Sequence, residues 1–244
     1  GLPAGKQNKE NREEPMKYKI EKNTVQETLI LPLYSRKLCT ELYPNLYRDE
    51  TAVRLFDQID YDFSEAEKNS RSLMQCFGAL EVAMRQNDLA WEVRDYLKTH
   101  PCAAVFFASG VFYYFLTEQV KALVQGMADA FPGGVLVFDA ANRTAVKMIA
   151  KTWLKTAKIK DVGAYFAVSD AKSELSPWDS RLQVSSRGYM LGYSDLKDPS
   201  VSGFFRFLAK VGDGMMKMQI VKIRFSGREQ EKKAPVAMKN HKAK

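Results

Sequence analysis

The stretch FFASGVFYYFLTEQVKALVQGMADAFPGGVLVFDAAN, residues 106–142, decides the fold class of this chain. Its start belongs to the longer run CAAVFFASGVFYYF, whose β-branched and aromatic residues predict a strand buried on both faces. Thr117 opens a segment with apolar residues at helical spacing, Pro132-Gly133-Gly134 stops it, and VLVFDAAN predicts a second buried strand. Strand, helix, turn and strand form the pattern of a parallel βαβ unit, which favours an α/β fold.

Helices are predicted upstream of this unit. Thr24 is a candidate N-cap with Glu27 at the capping-box position, and Pro32 is expected to limit or kink that helix. Asp49 is a candidate cap for the next helix. The third helical stretch could divide near Gly78. The three predicted helical ranges are Thr24–Lys37, Asp49–Ile59 and Ser70–Lys98.

Two further helices and two late strands are predicted downstream of the βαβ unit. The helices are Arg143–Ala157 and Ser202–Val211, and the strands are Arg181–Gly192 and Met218–Phe225. The closing order of strand, helix and strand favours an antiparallel edge on a mostly parallel sheet.

The positive charge of the chain is concentrated in its ends. The formal net charge is +8, of which residues 1–24 supply +2 (six Lys/Arg, four Glu) and residues 227–244 supply +4 (six Lys/Arg, two Glu), leaving +2 for the body. A nucleic-acid binder is expected to hold its basic residues on a folded face with aromatic platforms, so no nucleic-acid partner is predicted. The polar tails suit either a solvated, disordered role or an electrostatic docking arm.

Cysteine usage and hydropathy indicate a reducing compartment, and we expect a cytoplasmic protein. Cys39, Cys76 and Cys102 are odd in number and far apart, so neither a disulfide framework nor a zinc site is predicted. The amino-terminal residues lack the apolar core of a signal peptide. The longest apolar run, Ala103–Leu116, is shorter than the ~20 residues that span a bilayer, so no membrane partner is expected.

Few residues of the chain suit acid–base, metal or phosphate chemistry. Only His100 and His241 are histidines; His100 precedes Pro101 at a predicted helix end and His241 lies in the tail, so structural or solvent roles are expected for both. Gly212-Asp213-Gly214 follows a predicted helix, which favours a turn over a nucleotide-binding loop. The acidic residues Asp57, Asp60 and Asp62 lack the spacing of a calcium loop, so no metal site is predicted. No catalytic residue is therefore assigned.

Two stretches resemble a known family. VQETLILPLYSRK (residues 25–37) followed by LYRDETAVRLFDQIDYDFS (residues 46–64), together with residues 106–142, resemble the leucine carboxyl methyltransferase family, especially its bacterial branch that acts in polyketide O-methylation. The resemblance extends from about Lys19 to Phe225. It implies a Rossmann-like class I methyltransferase fold with a helical amino-terminal cap. It also implies S-adenosyl-L-methionine as cofactor and a small-molecule, polyketide-like acceptor that carries a carboxylate or hydroxyl.

The chain departs from the family pattern at one junction. In the family, the element that matches His100–Val105 leads into the first strand, a Gly-rich cofactor loop and two more strands. Here Val105 joins Phe106 directly, which omits on the order of 80 residues at ~30 residues per βαβ unit. Because the family's first and fourth strands are neighbours, the junction predicts one merged strand in a sheet of about four. We expect such a sheet to have an exposed edge, with lower stability or association through that edge.

Candidate cofactor contacts are carried over from the resemblance. Arg85 matches an arginine that faces the methionine carboxylate, although an exposed helix arginine in a salt bridge is an equal alternative. Arg36 and Lys37 match the family's amino-terminal basic position, or else form surface ion pairs. Ser109-Gly110 stands where the family has a motif beside the cofactor, with Ser in place of a common Glu.

Tyr113 and Tyr114 are predicted to line the acceptor pocket, or to pack in the core.

The chain is predicted to fold as one domain over residues 17–226. This domain has a helical cap (17–98) and a shortened α/β core (99–226), with polar tails at 1–16 and 227–244. Two functions stay open: an O-methyltransferase, and a cofactor-free remnant that acts as a binding or scaffold protein or has no function. The oligomeric state is left open.

Overall fold

The protein is described by a computed structural model. The described residues are 17–21, 24–68, 70–149, 151, 163–191 and 196–226. Both predicted tails, and the second half of the predicted helix Arg143–Ala157, lie outside these residues.

Four helices form the amino-terminal part of the structure. They are α1 (Val25–Leu42), α2 (Glu50–Asp57), α3 (Ser64–Lys68) and α4 (Leu73–Thr99), and a short parallel ladder joins β1 (Tyr18–Lys19) to β2 (Ile59–Asp60). Asp49 caps α2 as predicted, because its side chain accepts a hydrogen bond from the Ala52 amide. Thr24 precedes α1 without a side-chain cap, and the carboxylate of Glu27 instead accepts a hydrogen bond from the Tyr61 hydroxyl at 2.8 Å.

Two predictions for these helices are wrong, namely that Pro32 limits α1 and that α4 divides near Gly78; the alternative that Pro32 kinks α1 stays a prediction. Pro32 does not end α1, which continues for ten more residues to Leu42. Proline costs a helix one hydrogen bond and adds a clash, but α1 buries Ile30, Tyr34 and Leu38 around it, and this packing outweighs the local penalty. Helix α4 does not divide at Gly78 and continues as one helix of 27 residues.

The remaining elements build a four-stranded mixed sheet. Its strands are β3 (Val105–Ala108), β4 (Val135–Ala140), β5 (Leu182–Gly188) and β6 (Gln219–Phe225), and its helices are α5 (Thr117–Ala130), α6 (Arg143–Ile149), α7 (Ala171–Leu175) and α8 (Gly203–Gly214). The strand order is β3-β4-β6-β5. Strand β3 pairs in parallel with β4, whereas β6 is antiparallel to both of its neighbours. The α/β class, the parallel β3–α5–β4 unit and a sheet of four strands are thus as predicted. The antiparallel strand β6 lies inside the sheet and not at its edge.

The first strand of the βαβ unit is shorter and more exposed than its composition suggests. Only Val105–Ala108 is strand, and Phe112–Tyr114 forms a single 3-10 turn. Phe107 leaves 58% of its surface exposed, so the prediction of a strand buried on both faces is wrong for β3. It is correct for β4, in which every residue is buried. The difference arises because β3 lies at the edge of the sheet and β4 lies inside it.

The sheet separates two cores. Val135 and Val137 of β4 point toward helices α1, α4, α6 and α8. Leu136 and Phe138, one residue along, point toward α5 and α7. This alternation follows from the two-residue period of a strand and makes the molecule a three-layer α/β structure. The loops that follow β3 and β4 share one edge of the sheet, beneath α4.

Candidate functional site

A cluster of polar side chains lies where the parallel strands β3 and β4 end. Arg85 and Glu81 come from α4, Asp139 comes from the end of β4, and Gly110 follows β3. Tyr113 and Tyr189 complete the set, which we call the Arg85 cluster. Ligands of open α/β sheets bind at the carboxyl ends of parallel strands, so this cluster occupies the expected position for a site.

An ion pair forms the centre of the cluster. The Arg85 guanidinium donates from Nη1 to Oδ2 of Asp139 at 3.2 Å, and the two side chains keep 13% and 1% of their exposure. The other carboxylate oxygen of Asp139 accepts the Gly110 amide at 2.6 Å. Asp139 therefore ties α4 to the loop after β3. Burial is the largest single influence and opposes the charge on Arg85, but Asp139, Tyr189, Tyr113 and Glu81 together outweigh it and raise the pKa of the guanidinium, so Arg85 stays charged.

Gly110 allows the loop after β3 to approach the guanidinium. Its φ of +67° lies in the left-handed region that side chains disfavour. A Cβ atom at this position would lie 3.6 Å from Nη2 of Arg85, in ordinary contact. The backbone conformation, more than space, therefore accounts for glycine here.

One buried polar atom of the cluster, Nε of Arg85, lacks a hydrogen-bond partner among the described residues. The hydroxyl of Tyr113, whose residue is 4% exposed, interacts with the Asp139 carboxylate. An unpaired buried polar group costs about 1–3 kcal/mol, so native proteins rarely leave one without a bound water or ligand. The cluster thus offers one unused donor, Nε of Arg85, to a polar guest.

Glu81 and Tyr189 form a second hydrogen-bonded pair within the cluster. The Tyr189 hydroxyl donates to Oε1 of Glu81 at 3.2 Å. Burial raises the pKa of Glu81, and the positive charge of Arg85 and the Tyr189 hydrogen bond offset only part of this rise. Burial, together with the nearby carboxylates, raises the pKa of Tyr113 and of Tyr189 well above 10.0, so both tyrosines are neutral hydrogen-bonding groups at neutral pH.

A second set of charges continues along the same side of α4. Arg187 of β5 pairs with the fully buried Asp88 at 3.2 Å, and Lys222 of β6 pairs with Glu92 at 2.9 Å. Glu81, Arg85, Asp88 and Glu92 recur every three or four residues, so they form one stripe that faces the sheet. This stripe fastens α4 to the sheet, and only its Arg85 end reaches the loops after β3 and β4.

The structure brings together some of the predicted site residues and separates others. Arg85, Gly110 and Tyr113 meet in the Arg85 cluster, and the pKa of Tyr114 is raised by burial near Arg85 and Asp139. Ser109 lies beside Gly110 with no side-chain hydrogen bond to the cluster. Arg85 forms a salt bridge, as one of the two alternatives expected, but its partner is the buried Asp139 and the arginine is not exposed. The ligand-facing role of Arg85 stays a prediction.

Arg36 and Lys37 lie in the helical layer and do not contact the cluster. Arg36 donates to Oδ2 of Asp49 from Nε at 2.8 Å. Lys37 pairs with Glu41 at 2.6 Å and lies 4.7 Å from the centre of the Phe56 ring. The Arg36–Asp49 and Lys37–Phe56 contacts hold α1 and α2 together, whereas the Lys37–Glu41 pair lies within α1. The ion pairs match the surface-pair alternative of the sequence prediction.

Sequence reasoning missed Asp139, Glu81 and Tyr189. Asp139 is the one charged residue of the strand V-L-V-F-D-A, and a carboxylate at the end of a buried strand is a signal that could have identified it. Glu81 lies one helical turn before Arg85, which is visible in the sequence. Tyr189 carries no comparable signal, because only the pairing of β5 with β6 brings it near α4.

Comparison with known proteins establishes no family. No family model matches the chain, and no curated protein does. A crystal structure of a Thermobifida fusca YX protein, named provisionally as a methyltransferase, resembles the chain over 83% of each, with 11% identity and a TM-score of 0.33. A likeness at this level does not establish a shared family or activity.

Two features are absent from the ranges that the structure describes. Within them, no helix is long and apolar enough to cross a membrane. No group of three or more His, Cys, Asp or Glu residues in those same ranges is placed to hold a metal ion.

Proposed function

We propose that this protein is an S-adenosyl-L-methionine-dependent O-methyltransferase that acts on a carboxylate or hydroxyl of a small, polyketide-like molecule. The observation that carries the proposal is the Arg85–Asp139 pair, buried at the carboxyl end of two parallel strands beside Gly110. The family resemblance of residues 25–64 and 106–142 supports the same assignment. For a carboxylate acceptor no histidine, metal or enzyme nucleophile is needed at the site, since the methyl donor is already activated and the acceptor is already ionised; a hydroxyl acceptor releases its proton to solvent.

The cluster fits the amino-acid end of this cofactor. A zwitterion needs a cation for its carboxylate and an anion for its ammonium group, and Arg85 and Asp139 supply both within one buried pair. The unpartnered Nε of Arg85 is a further donor for a carboxylate. The nucleoside end has no comparable partners among the described residues, since the junction at Val105–Phe106 omits the Gly-rich loop that the family uses there.

The chain's own residues have positioning roles in this proposal. When bound, the cofactor supplies a sulfonium whose methyl group is displaced directly, so catalysis consists mainly of alignment and exclusion of water. Arg85 holds a carboxylate, Asp139 fixes the Arg85 guanidinium and orients the Gly110 loop, and Tyr113 and Tyr114 lie on the acceptor side. Because the pKa of Tyr113 is raised by burial, its hydroxyl acts as a hydrogen-bonding group and not as a base.

Calorimetric titration tests the proposal. We expect S-adenosylmethionine and its demethylated product to bind with micromolar affinity, and Arg85→Lys to weaken binding by about tenfold, because lysine cannot form the guanidinium fork. Arg181→Lys is the matched control: Arg181 also pairs with aspartates, Asp179 at 2.7 Å and Asp129 at 2.7 Å, but lies before β5 at the opposite edge of the sheet. Absence of heat and of thermal stabilisation with both ligands would rule out the methyltransferase assignment.

A cofactor-free binding or scaffold protein is the second candidate function. Two observations favour it. The sheet has four strands, and Asp139 and Arg85 already pair with each other without a ligand. In that case the Arg85 cluster serves only to hold α4 on the sheet. Substitution of Arg85 would then change the free energy of unfolding, while neither S-adenosylmethionine nor its product would alter the melting temperature.

A further inference from the structure

The two edges of the sheet differ in how they are protected. Edge strand β5, Leu182–Gly188, contains polar residues and an arginine, and α7 with the following 3-10 turn packs against it. Edge strand β3, Val105–Ala108, reads V-F-F-A and contains no charge, proline or glycine. Monomeric proteins commonly protect an edge strand with charged residues, proline or a covering element. Strand β3 has none of these protections among the described residues.

Exposed apolar side chains continue from β3 in both directions. Phe107 itself is 58% exposed, and Val111, Phe115 and Leu116 are exposed in the turn that follows. At the other end, the ring of the exposed Phe131 lies 4.7 Å from that of Phe106. Together these residues form what we call the β3 edge surface. Apolar surface of this kind around an open edge is typical of an association site.

The β3 edge surface is electrically neutral in a basic protein. Residues 101–116 contain no Asp, Glu, Lys or Arg, although the whole chain carries a formal charge of +8. A strongly acidic or basic partner would therefore find no matching charge on this edge. Two copies of the chain, by contrast, can meet there without bringing their positive charges into direct contact, since the repulsion between distant charges is screened by salt.

We propose that the chain forms a two-fold symmetric dimer in which the β3 strands of two copies pair antiparallel. A two-fold axis perpendicular to the sheet keeps each side chain on its own face, so the axis must pass beside a residue and not between two residues. Centred on Phe107, it places the two Phe107 rings opposite each other, with Cβ atoms about 4.5–5.5 Å apart, and Phe106 opposite Ala108. The result is a continuous sheet of eight strands.

This arrangement would limit association to two copies. Each copy has one unprotected edge, and the two-fold contact uses it completely, whereas the polar β5 edges remain at the ends of the joined sheet. The exposed Phe107 rings of the two copies form a cross-strand aromatic pair, which is a favourable contact in antiparallel sheets. The inference does not depend on the proposed methyltransferase function.

Sedimentation of the full chain over the micromolar range tests the dimer. We expect a reversible species of twice the 27.7 kDa chain mass. Phe107→Lys places two like charges opposite each other and should raise the dissociation constant at least about tenfold. Phe207→Lys is the matched control, because Phe207 is 60% exposed on α8, away from β3, and should leave the dimer unchanged.

A cross-linking variant keeps the test decisive if Phe107→Lys folds poorly. In a Cys102→Ser background, which removes the exposed native thiol, Phe107→Cys should form a covalent dimer under mild oxidation, and Phe207→Cys should not. The proposal is overturned if the wild-type chain stays monomeric throughout the range. It is also overturned if Phe107→Lys associates as strongly as the wild type, if association proceeds beyond two copies, or if Phe107→Cys cross-links no faster than the control.

Discussion

The two faces of the central sheet are built from different chemistry. Toward α5 and α7, the sheet presents Leu136, Phe138, Val221, Ile223 and Phe225, all buried among other apolar residues. Toward α4, it presents charged side chains as well, namely Asp139, Arg187, Lys222 and Arg224. The apolar face is stabilised without regard to exact partners, whereas the α4 face requires that each charge meet its counterpart. The α4 face is therefore the side on which the structure can be specific, and the Arg85 cluster lies there.

The largest predicted effects on stability concern two neighbouring residues of β4, Phe138 and Asp139, whose side chains lie on opposite faces of the sheet. Phe138→Ala leaves a cavity on the α5 side, and Asp139→Ala leaves Arg85 buried without its hydrogen-bonded carboxylate, so each should lower the free energy of unfolding by about 3–5 kcal/mol. The two variants should differ in whether a second substitution can restore the lost stability. Arg85→Met combined with Asp139→Leu should recover most of the stability, because an apolar pair replaces a buried ion pair.

Urea unfolding of the three variants measures these changes. No second apolar substitution is expected to repair Phe138→Ala to the same degree, since the lost volume stays lost. If the double variant is as unstable as Asp139→Ala alone, then the Arg85–Asp139 ion pair stabilises the fold more than an apolar pair does. That result would contradict the prediction for the α4 face.

The second prediction concerns the charged stripe beyond the Arg85 cluster. Glu92 pairs with Lys222 at 2.9 Å and lies 3.6 Å from Arg187, and its side chain keeps 10% of its exposure. Glu92→Gln should therefore lower the free energy of unfolding by about 1.5–3 kcal/mol, as hydrogen bonds to charged groups contribute. Asp95→Asn, on the exposed side of α4 and paired with Lys98 at 3.5 Å, serves as control and should cost under about 1 kcal/mol. Equal effects of the two substitutions would remove the distinction between the buried and exposed sides of α4.

The smallest predicted effect is a dependence of stability on pH. Burial raises the pKa of Glu81 in the folded state above its ordinary value of 4.5. As the pH rises past that value, the unfolded chain releases this proton first, so folding stability falls until the folded-state pKa is passed. Glu81→Gln removes this loss, and its stability relative to wild type should improve as the pH rises from acid to neutral.

Asp49 provides a control of opposite sign for the pH experiment. Burial raises its pKa, but the Ala52 amide and Arg36 lower it further, to a net value below 3.8. Its contribution is thus present above that value and lost as the pH falls. Asp49→Asn should therefore approach wild-type stability at acid pH. Parallel pH profiles for the two variants would contradict the assignment of Glu81 as a buried acid.

The elements and the site differed in how far they could be predicted. Helix α5 and strand β4 were predicted closely because their apolar periodicity and the Pro132-Gly133-Gly134 stop are local signals. The length of β3 was not, because an apolar run does not reveal whether the strand has one neighbour or two. Arg85 was identified only through the family resemblance, and its partner Asp139, 54 residues away in the sequence, was missed.

The sequence by itself determined the α/β class, the positions of most helices and strands, and the neutrality of the β3 edge in a basic chain. These properties depend on composition and on patterns of a few residues, which the sequence displays directly. Only the tertiary structure decided which strands lie at the edges, that α4 carries a charged stripe against the sheet, and that Arg85 meets Asp139 and Gly110. Such pairings depend on which distant groups are removed from water together, and that is settled when the layers pack.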